Sequence, residues 1–224
     1  MTPKTKAIFI ESIANPGGIV VDIPAIAAVA KKAGVPLIVD NTLATPYLCR
    51  PKDFGADIVV HSLTKFLGGH GNSIGGALVD CGTFDWLASG RYPALSAPNP
   101  SYHGMVMAET FGNFAFAIAA RALALRDLGP AISPMNSFLV LTGIETLPLR
   151  MERHCQNALA VAEWLERRPE VAWVSYAALP ESKYKALQQK ICPKGGGALL
   201  TFGLKGGYED RKSTRLNSSH RTGS

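Results

Sequence analysis

Cysteine is scarce in this chain and widely scattered. The four thiols, Cys49, Cys81, Cys155 and Cys192, include no closely spaced pair, so neither a zinc knuckle nor a CxxC redox motif is present. Free thiols in a reducing cytoplasm are the expectation. Long apolar runs are also missing. No stretch reaches the roughly 18 residues of a membrane-spanning helix, and the longest candidate, Ala115–Leu125, is interrupted by Arg121. The segment from Met1 to Lys6 has no apolar core of the kind a secretory signal requires. No GxGxxG motif follows the first apolar run, which removes the dinucleotide fingerprint, and no internal repeat is visible.

Acid is absent from the last stretch, Arg211 to Ser224, which carries Arg211, Lys212, Arg215 and Arg221. Those four cations account for most of the formal charge, which falls from +6 to +2 without them. The main body is nearly neutral and has no basic stripe, so nucleic acid is not an expected partner. The stretch holds one large apolar residue, Leu216. It resembles the translation of a sequencing adapter and is expected to be a non-native tail; the alternative is a native disordered tail.

What is present is an ordinary globular balance, 47% apolar and 18% charged, rich enough in Ala, Val, Ile and Leu to bury a core. Ala7–Ile10 is a buried strand, followed by a turn at Ala14–Gly18. Ile23–Ala33 has helical spacing, with Asp22 as cap, Pro24 in its first turn and Gly34 as its stop. Pro36–Asp40 is a second apolar strand, and the order strand, helix, strand defines a βαβ unit with a parallel sheet. Further strands are expected at Asp57–Val60, Gly76–Val79, Val171–Ser175 and Ala198–Phe202. Helices are expected at Ala115–Leu128, Pro134–Gly143, Leu149–Arg168 and Glu181–Lys190. The class is therefore α/β. A boundary near Pro148 separates residues 1–148 from the start of a smaller α/β unit at 149–210, ahead of the tail at 211–224.

The candidate chemistry lies in Asp40 and in the run Ser62-Leu63-Thr64-Lys65. Asp40 ends one apolar strand and Ser62–Lys65 follows the next. In parallel α/β sheets ligands bind beyond the carboxyl ends of the strands, so these side chains should converge on one rim. A buried lysine can form a Schiff base, hydroxyls can hold phosphate, and a carboxylate can pair with a protonated pyridine nitrogen. Pyridoxal 5'-phosphate has a partner for each. Taken singly, however, an Asp at a strand end is ordinarily a cap, and Ser-x-Thr-Lys is common. By pattern alone the structural and functional readings both stay open. His61 and His70 flank the lysine and could move protons, although packing or hydrogen bonding suits both better. Glu109 and Glu145 lie on helical segments with no visible partner.

The runs Glu11-Ser-Ile-Ala-Asn-Pro16, Val39-Asp-Asn-Thr42 and His61-Ser-Leu-Thr-Lys-Phe-Leu-Gly-Gly-His-Gly71 resemble the Cys/Met-metabolism family of pyridoxal-phosphate enzymes of fold type I. The likeness extends from residue 6 to about 208. Gly69–Gly76, Gly143–His154 and Thr201–Gly207 most resemble the O-acetylhomoserine sulfhydrylases of that family. The resemblance implies a mainly parallel sheet in a large cofactor-binding domain. It implies that Lys65 binds the cofactor covalently and later moves protons, that Asp40 pairs with the pyridine nitrogen, and that Ser62 and Thr64 hold the phosphate. Asn15 would lie near the phenolic oxygen or the substrate carboxylate, and Thr42 would support Asp40.

The implied reaction is γ-replacement. The acetate of O-acetyl-L-homoserine is exchanged for sulfide or a thiol, giving homocysteine or methionine. Cystathionine γ-synthase and γ-lyase are the alternatives within the family, and a cofactor-free interaction module on the same scaffold is the alternative outside it. Family members are homo-oligomers, tetramers among them, and the apolar run Phe111–Ala124 is a candidate interface. Family segments that precede and follow this sequence, including the arginine for the substrate carboxylate, are missing from it. The 224-residue chain alone is therefore expected to be inactive.

Overall fold

The structure is a computed structural model that describes residues 1–206. The stretch 211–224 and the last residues of the expected second unit lie outside the described residues.

Eight strands are defined among the described residues. β1 (Ile8–Glu11), β4 (Leu37–Asp40), β5 (Ile58–Ser62) and β6 (Gly76–Asp80) form a sheet in the order β1-β4-β5-β6. The pairs β1–β4 and β4–β5 are parallel, and β6 runs antiparallel to β5. The expected parallel core is thus present, with one reversed strand at its edge. β2 (Ile13–Ala14) and β3 (Ile19–Val20) make a small antiparallel hairpin where the sequence indicates only a turn. β7 (Val171–Ser175) and β8 (Thr201–Leu204) form a separate antiparallel pair. The last strand thus starts three residues later than the expected Ala198, because Gly195, Gly196 and Gly197 pack an irregular segment against Cys155, Ala178 and Tyr176.

The central strands are apolar because both their faces are covered. Leu37 and Val39 on one face of β4 are fully buried, and Val59 of β5 joins them in the larger core. Ile58 of β5 points the other way, into a second cluster with Trp86, Met107, Ala115 and Ala119. The helix Ile23–Ala33 closes the first face. Its capping follows the sequence signals: the Asp22 carboxylate accepts from Ala25 N (3.1 Å), and Gly34 ends it at φ 63°.

The helix Leu147–Glu166 serves two cores. Its first half buries Leu147, Met151 and Cys155 against the cluster behind β4, and its second half packs Ala158 and Ala162 against Tyr176, Ala178 and Leu179. The apolar segment around Phe111–Ala124 is partly used within the subunit, since Ala115 and Ala119 are buried while Phe114 is 72% exposed. Among the described residues no helix is long and apolar enough to cross a membrane.

Candidate functional site

Asp40 is the last residue of β4, and Ser62 the last of β5. The two strands are in parallel register, with Asp40 opposite Val60. Both side chains therefore leave the sheet at the same rim, as the βαβ order predicts. Beyond β5 the chain makes a tight helical turn, Leu63–Leu67, broken at Lys65 by non-helical angles (φ −91°, ψ −125°). Lys65 is displayed at a cavity of about 650 Å³ that Asn15, Asp40, Ser62, Phe66, Arg150 and His154 also line.

The rim is tied together by short hydrogen bonds. Thr42 N donates to Asp40 Oδ1 (2.9 Å), and the Thr42 hydroxyl accepts from Ser62 N (2.8 Å). Thr42 thus supports Asp40, as expected, and also joins the two strand ends. Beneath it lies a buried polar pair that sequence reading missed. Ser12 Oγ donates to Asn41 Oδ1 (2.7 Å), and Asn41 Nδ2 donates to the Cys49 carbonyl (2.9 Å). Both residues are fully buried. Asn41→Ala would strand these partners, each worth about 1–3 kcal/mol when unpaired. A fall in the urea midpoint without a change of slope is the expected measurement.

Of the expected site residues, Asn15, Asp40, Ser62 and Lys65 line the cavity. Thr64 does not. Its hydroxyl accepts from Gly75 N (3.1 Å) and lies 3.3 Å from the Gly75 carbonyl, holding the lysine turn to the start of β6. Its one hydrogen can be aimed at that carbonyl or at a ligand oxygen, but not at both. Lys65 is exposed at the cavity rather than buried, because the described residues leave its side open. His70 Nδ1 sits 2.8 Å from the Gly68 carbonyl, a hydrogen-bonding role within the loop. Glu109 and Glu145 are exposed and do not line the cavity.

His61 points away from the cavity into the core at 5% exposure. Burial lowers its pKa, and the charge of Asp40 and a backbone contact at Asn41 oppose that shift. The folded state therefore binds fewer protons than the unfolded state below the ordinary value of 6.5. The His61 contribution to stability is complete above 6.5 and lost as pH falls toward the lowered folded value. Denaturant midpoints measured between about pH 7 and pH 5 should fall, and His61→Gln should flatten that slope.

The cavity suits a phosphorylated aromatic aldehyde. Its volume is in the range of about 300–1,000 Å³ usual for cofactor sites. Lys65 makes no side-chain hydrogen bond among the described residues. Neither Asp40 Oδ2 nor the Ser62 hydroxyl has a protein partner there, while Asp40 Oδ1 is held by Thr42. An amine, a carboxylate oxygen and a hydroxyl thus converge on the cavity ready for a ligand. Glu11, at the end of β1 opposite Asp40, adds a second carboxylate and accepts from Asn15 N (2.7 Å).

A lysine on the turn beyond one parallel strand and an aspartate ending its neighbour fit the arrangement expected of the fold-type-I, pyridoxal-phosphate-dependent class. A family model described as Cys/Met metabolism PLP-dependent enzyme matches residues 1–220, and the chain belongs to that family. It is 50% identical over 218 residues to the O-acetyl-L-homoserine sulfhydrylase of Leptospira meyeri, covering 93% of this chain and 49% of that protein. It is 55% identical over 210 residues to the homocysteine synthase of Schizosaccharomyces pombe, with 93% and 49% covered. A crystal structure from Campylobacter jejuni that holds N'-pyridoxyl-lysine-5'-monophosphate superposes at TM-score 0.87 with 40% identity, over 92% of this chain and 51% of that one. The O-acetylhomoserine sulfhydrylase of Wolinella succinogenes superposes at 0.78 with 39% identity, over 92% and 54%. The chain spans about half the length of the curated relatives it matches.

Proposed function

We propose that the whole protein replaces the acetate of O-acetyl-L-homoserine with sulfide or a thiol, forming homocysteine or methionine. The observation that carries this reading is the placement of Lys65 and Asp40 on adjacent parallel strand ends facing one cavity. The names of relatives at 50–55% identity support the choice of substrate. When bound, pyridoxal 5'-phosphate supplies an electron sink for charge developing at the substrate carbons. Lys65 would hold it through Nζ, its amine condensing with the aldehyde and releasing water, and the same amine would then take and return protons at Cα and Cβ. Asp40, oriented by Thr42, keeps the ring nitrogen protonated. The Ser62 hydroxyl holds a phosphate oxygen, and Thr64 joins it by turning its one hydrogen from Gly75. Asn15, which lines the same cavity, would meet the phenolic oxygen or the substrate carboxylate.

The same reading divides the chain into a cofactor-binding unit, residues 1–148, and the start of a smaller unit at 149–210. It makes the protein a homo-oligomer of the cytoplasm. The exposed Phe114 and the free thiols of all four cysteines are in keeping with that reading. The test is product analysis on the full-length protein. O-acetylhomoserine with sulfide should yield homocysteine and acetate. Cystathionine from O-acetylhomoserine and cysteine would point to a γ-synthase, and 2-oxobutanoate without added thiol to a lyase.

A further inference from the structure

Arg150 looks in sequence like one of several charged residues on the outer face of an amphipathic helix. Its side chain instead reaches back to the lysine turn. Nη1 donates to the Phe66 carbonyl (2.7 Å), and Nη2 donates to the carbonyls of Leu67 (3.3 Å) and Gly143 (2.7 Å). Nε donates to the Thr146 hydroxyl (3.1 Å). A guanidinium has five N–H donors, so one, on Nη1, is left over. Among the described residues Arg150 has no carboxylate partner, the two ion pairs there being Arg50–Asp53 and Arg126–Asp127. Its charge is met by three carbonyl dipoles and one hydroxyl.

Those dipoles come from two places that must be held together. Phe66 and Leu67 immediately follow Lys65, and Gly143 lies in the last turn of the helix Pro134–Glu145. A cation there also complements the negative end of that helix. The surrounding glycines are shaped to this contact. Gly69 sits at φ 75°, and a Cβ on it would stand 2.5 Å from the guanidinium; a Cβ on Gly143 would collide with the Gly68 carbonyl. The turn's amides are satisfied inward, Gly68 N by Leu63 O (2.9 Å) and Gly69 N by Lys65 O (2.8 Å). Two more of its carbonyls, those of Phe66 and Leu67, are satisfied by Arg150.

We infer that Arg150 is a positioning residue, a clamp that fixes the turn presenting Lys65 to the cavity by binding the Phe66 and Leu67 carbonyls to that of Gly143. This rests on the reading that Lys65 holds the cofactor. Lysine cannot replace the arginine. A single ammonium is a compact point donor, whereas the planar fork meets three carbonyls in fixed directions.

The experiment uses the full-length protein as wild type, Arg150→Lys and Arg150→Ala. It measures amide hydrogen exchange at Gly68 and Gly69, the dissociation constant for pyridoxal phosphate, and borohydride trapping on Lys65 read by peptide mass. In both variants the two glycine amides should exchange at least about tenfold faster, and cofactor affinity should fall at least about tenfold. Exchange at Ala158 and Ala162, in the other half of the same helix, should not change. Millimolar guanidinium, but not ammonium, should restore the alanine variant in part. Unchanged exchange at Gly68 and Gly69 with affinity within about twofold of wild type would overturn the clamp. So would a uniform rise in exchange that includes Ala158 and Ala162, since that marks general destabilisation. If the alanine variant does not fold, the lysine variant decides by the same measurements. If the wild type is not trapped at Lys65, the cofactor reading fails, while the exchange arm still decides whether the clamp exists.

Discussion

Lys65→Ala is expected to abolish covalent attachment of pyridoxal phosphate and to lower turnover of the full-length protein by at least about a thousandfold. A positioned acid–base group alone contributes roughly 10²–10⁴, and in the proposed function this lysine also makes the covalent bond. The fold should be untouched. Lys65 is exposed, its side chain makes no hydrogen bond among the described residues, and no core residue leans on it. Circular dichroism and the thermal midpoint should match those of the cofactor-free wild type, while the visible absorption band is lost. Lys65→Arg is the sharper control, because it keeps a long cation at the same place but offers no amine that can become neutral. Turnover within about tenfold of wild type in either variant would show that the catalytic amine lies elsewhere.

Asp40 allows charge and shape to be separated. In Asp40→Asn the amide oxygen can still accept from Thr42 N, so the link from Thr42 to Ser62 N survives. Only the negative charge, which the proposed function sets beside the ring nitrogen, is lost. Removing one group that stabilises developing charge costs about 10²–10³ in kcat, and that is the loss expected here, with little change in stability. Asp40→Ala should add a stability cost, because Thr42 N then loses its acceptor at the rim. The measurement is kcat against KM for the amino-acid substrate, paired with denaturant midpoints. A kcat for Asp40→Asn within about threefold of wild type would remove Asp40 from the electronic role.

The two residues at the centre of these tests are legible because their signals are local. An apolar run that ends in Asp40, and another followed by Ser62 and Lys65, state their own geometry once the βαβ order makes the strands parallel. Capping of the helix Ile23–Ala33 by Asp22 and Gly34 is equally local. Thr64 shows the limit of such reasoning. Its type and spacing match a phosphate ligand, but they give no sign that its hydroxyl also meets Gly75, eleven positions away across the turn. The hairpin of β2 and β3 was invisible because two-residue strands are too short to display any alternation.

The sequence by itself determined the α/β class, the order of the main strands and helices, and the pairing of Asp40 with Lys65 at one rim. These follow from periodicity, capping and turn residues, all of which act over a few positions. Only the tertiary structure decided which helix grips the lysine turn. Arg150 meets Phe66 and Leu67 across 84 and 83 positions, and it binds their carbonyls, groups that every residue carries alike. The buried Ser12–Asn41 pair, 29 positions apart, was hidden for the same reason. A partner chosen by distance in space, and bound through backbone or through a small polar side chain, leaves no periodic mark in the chain.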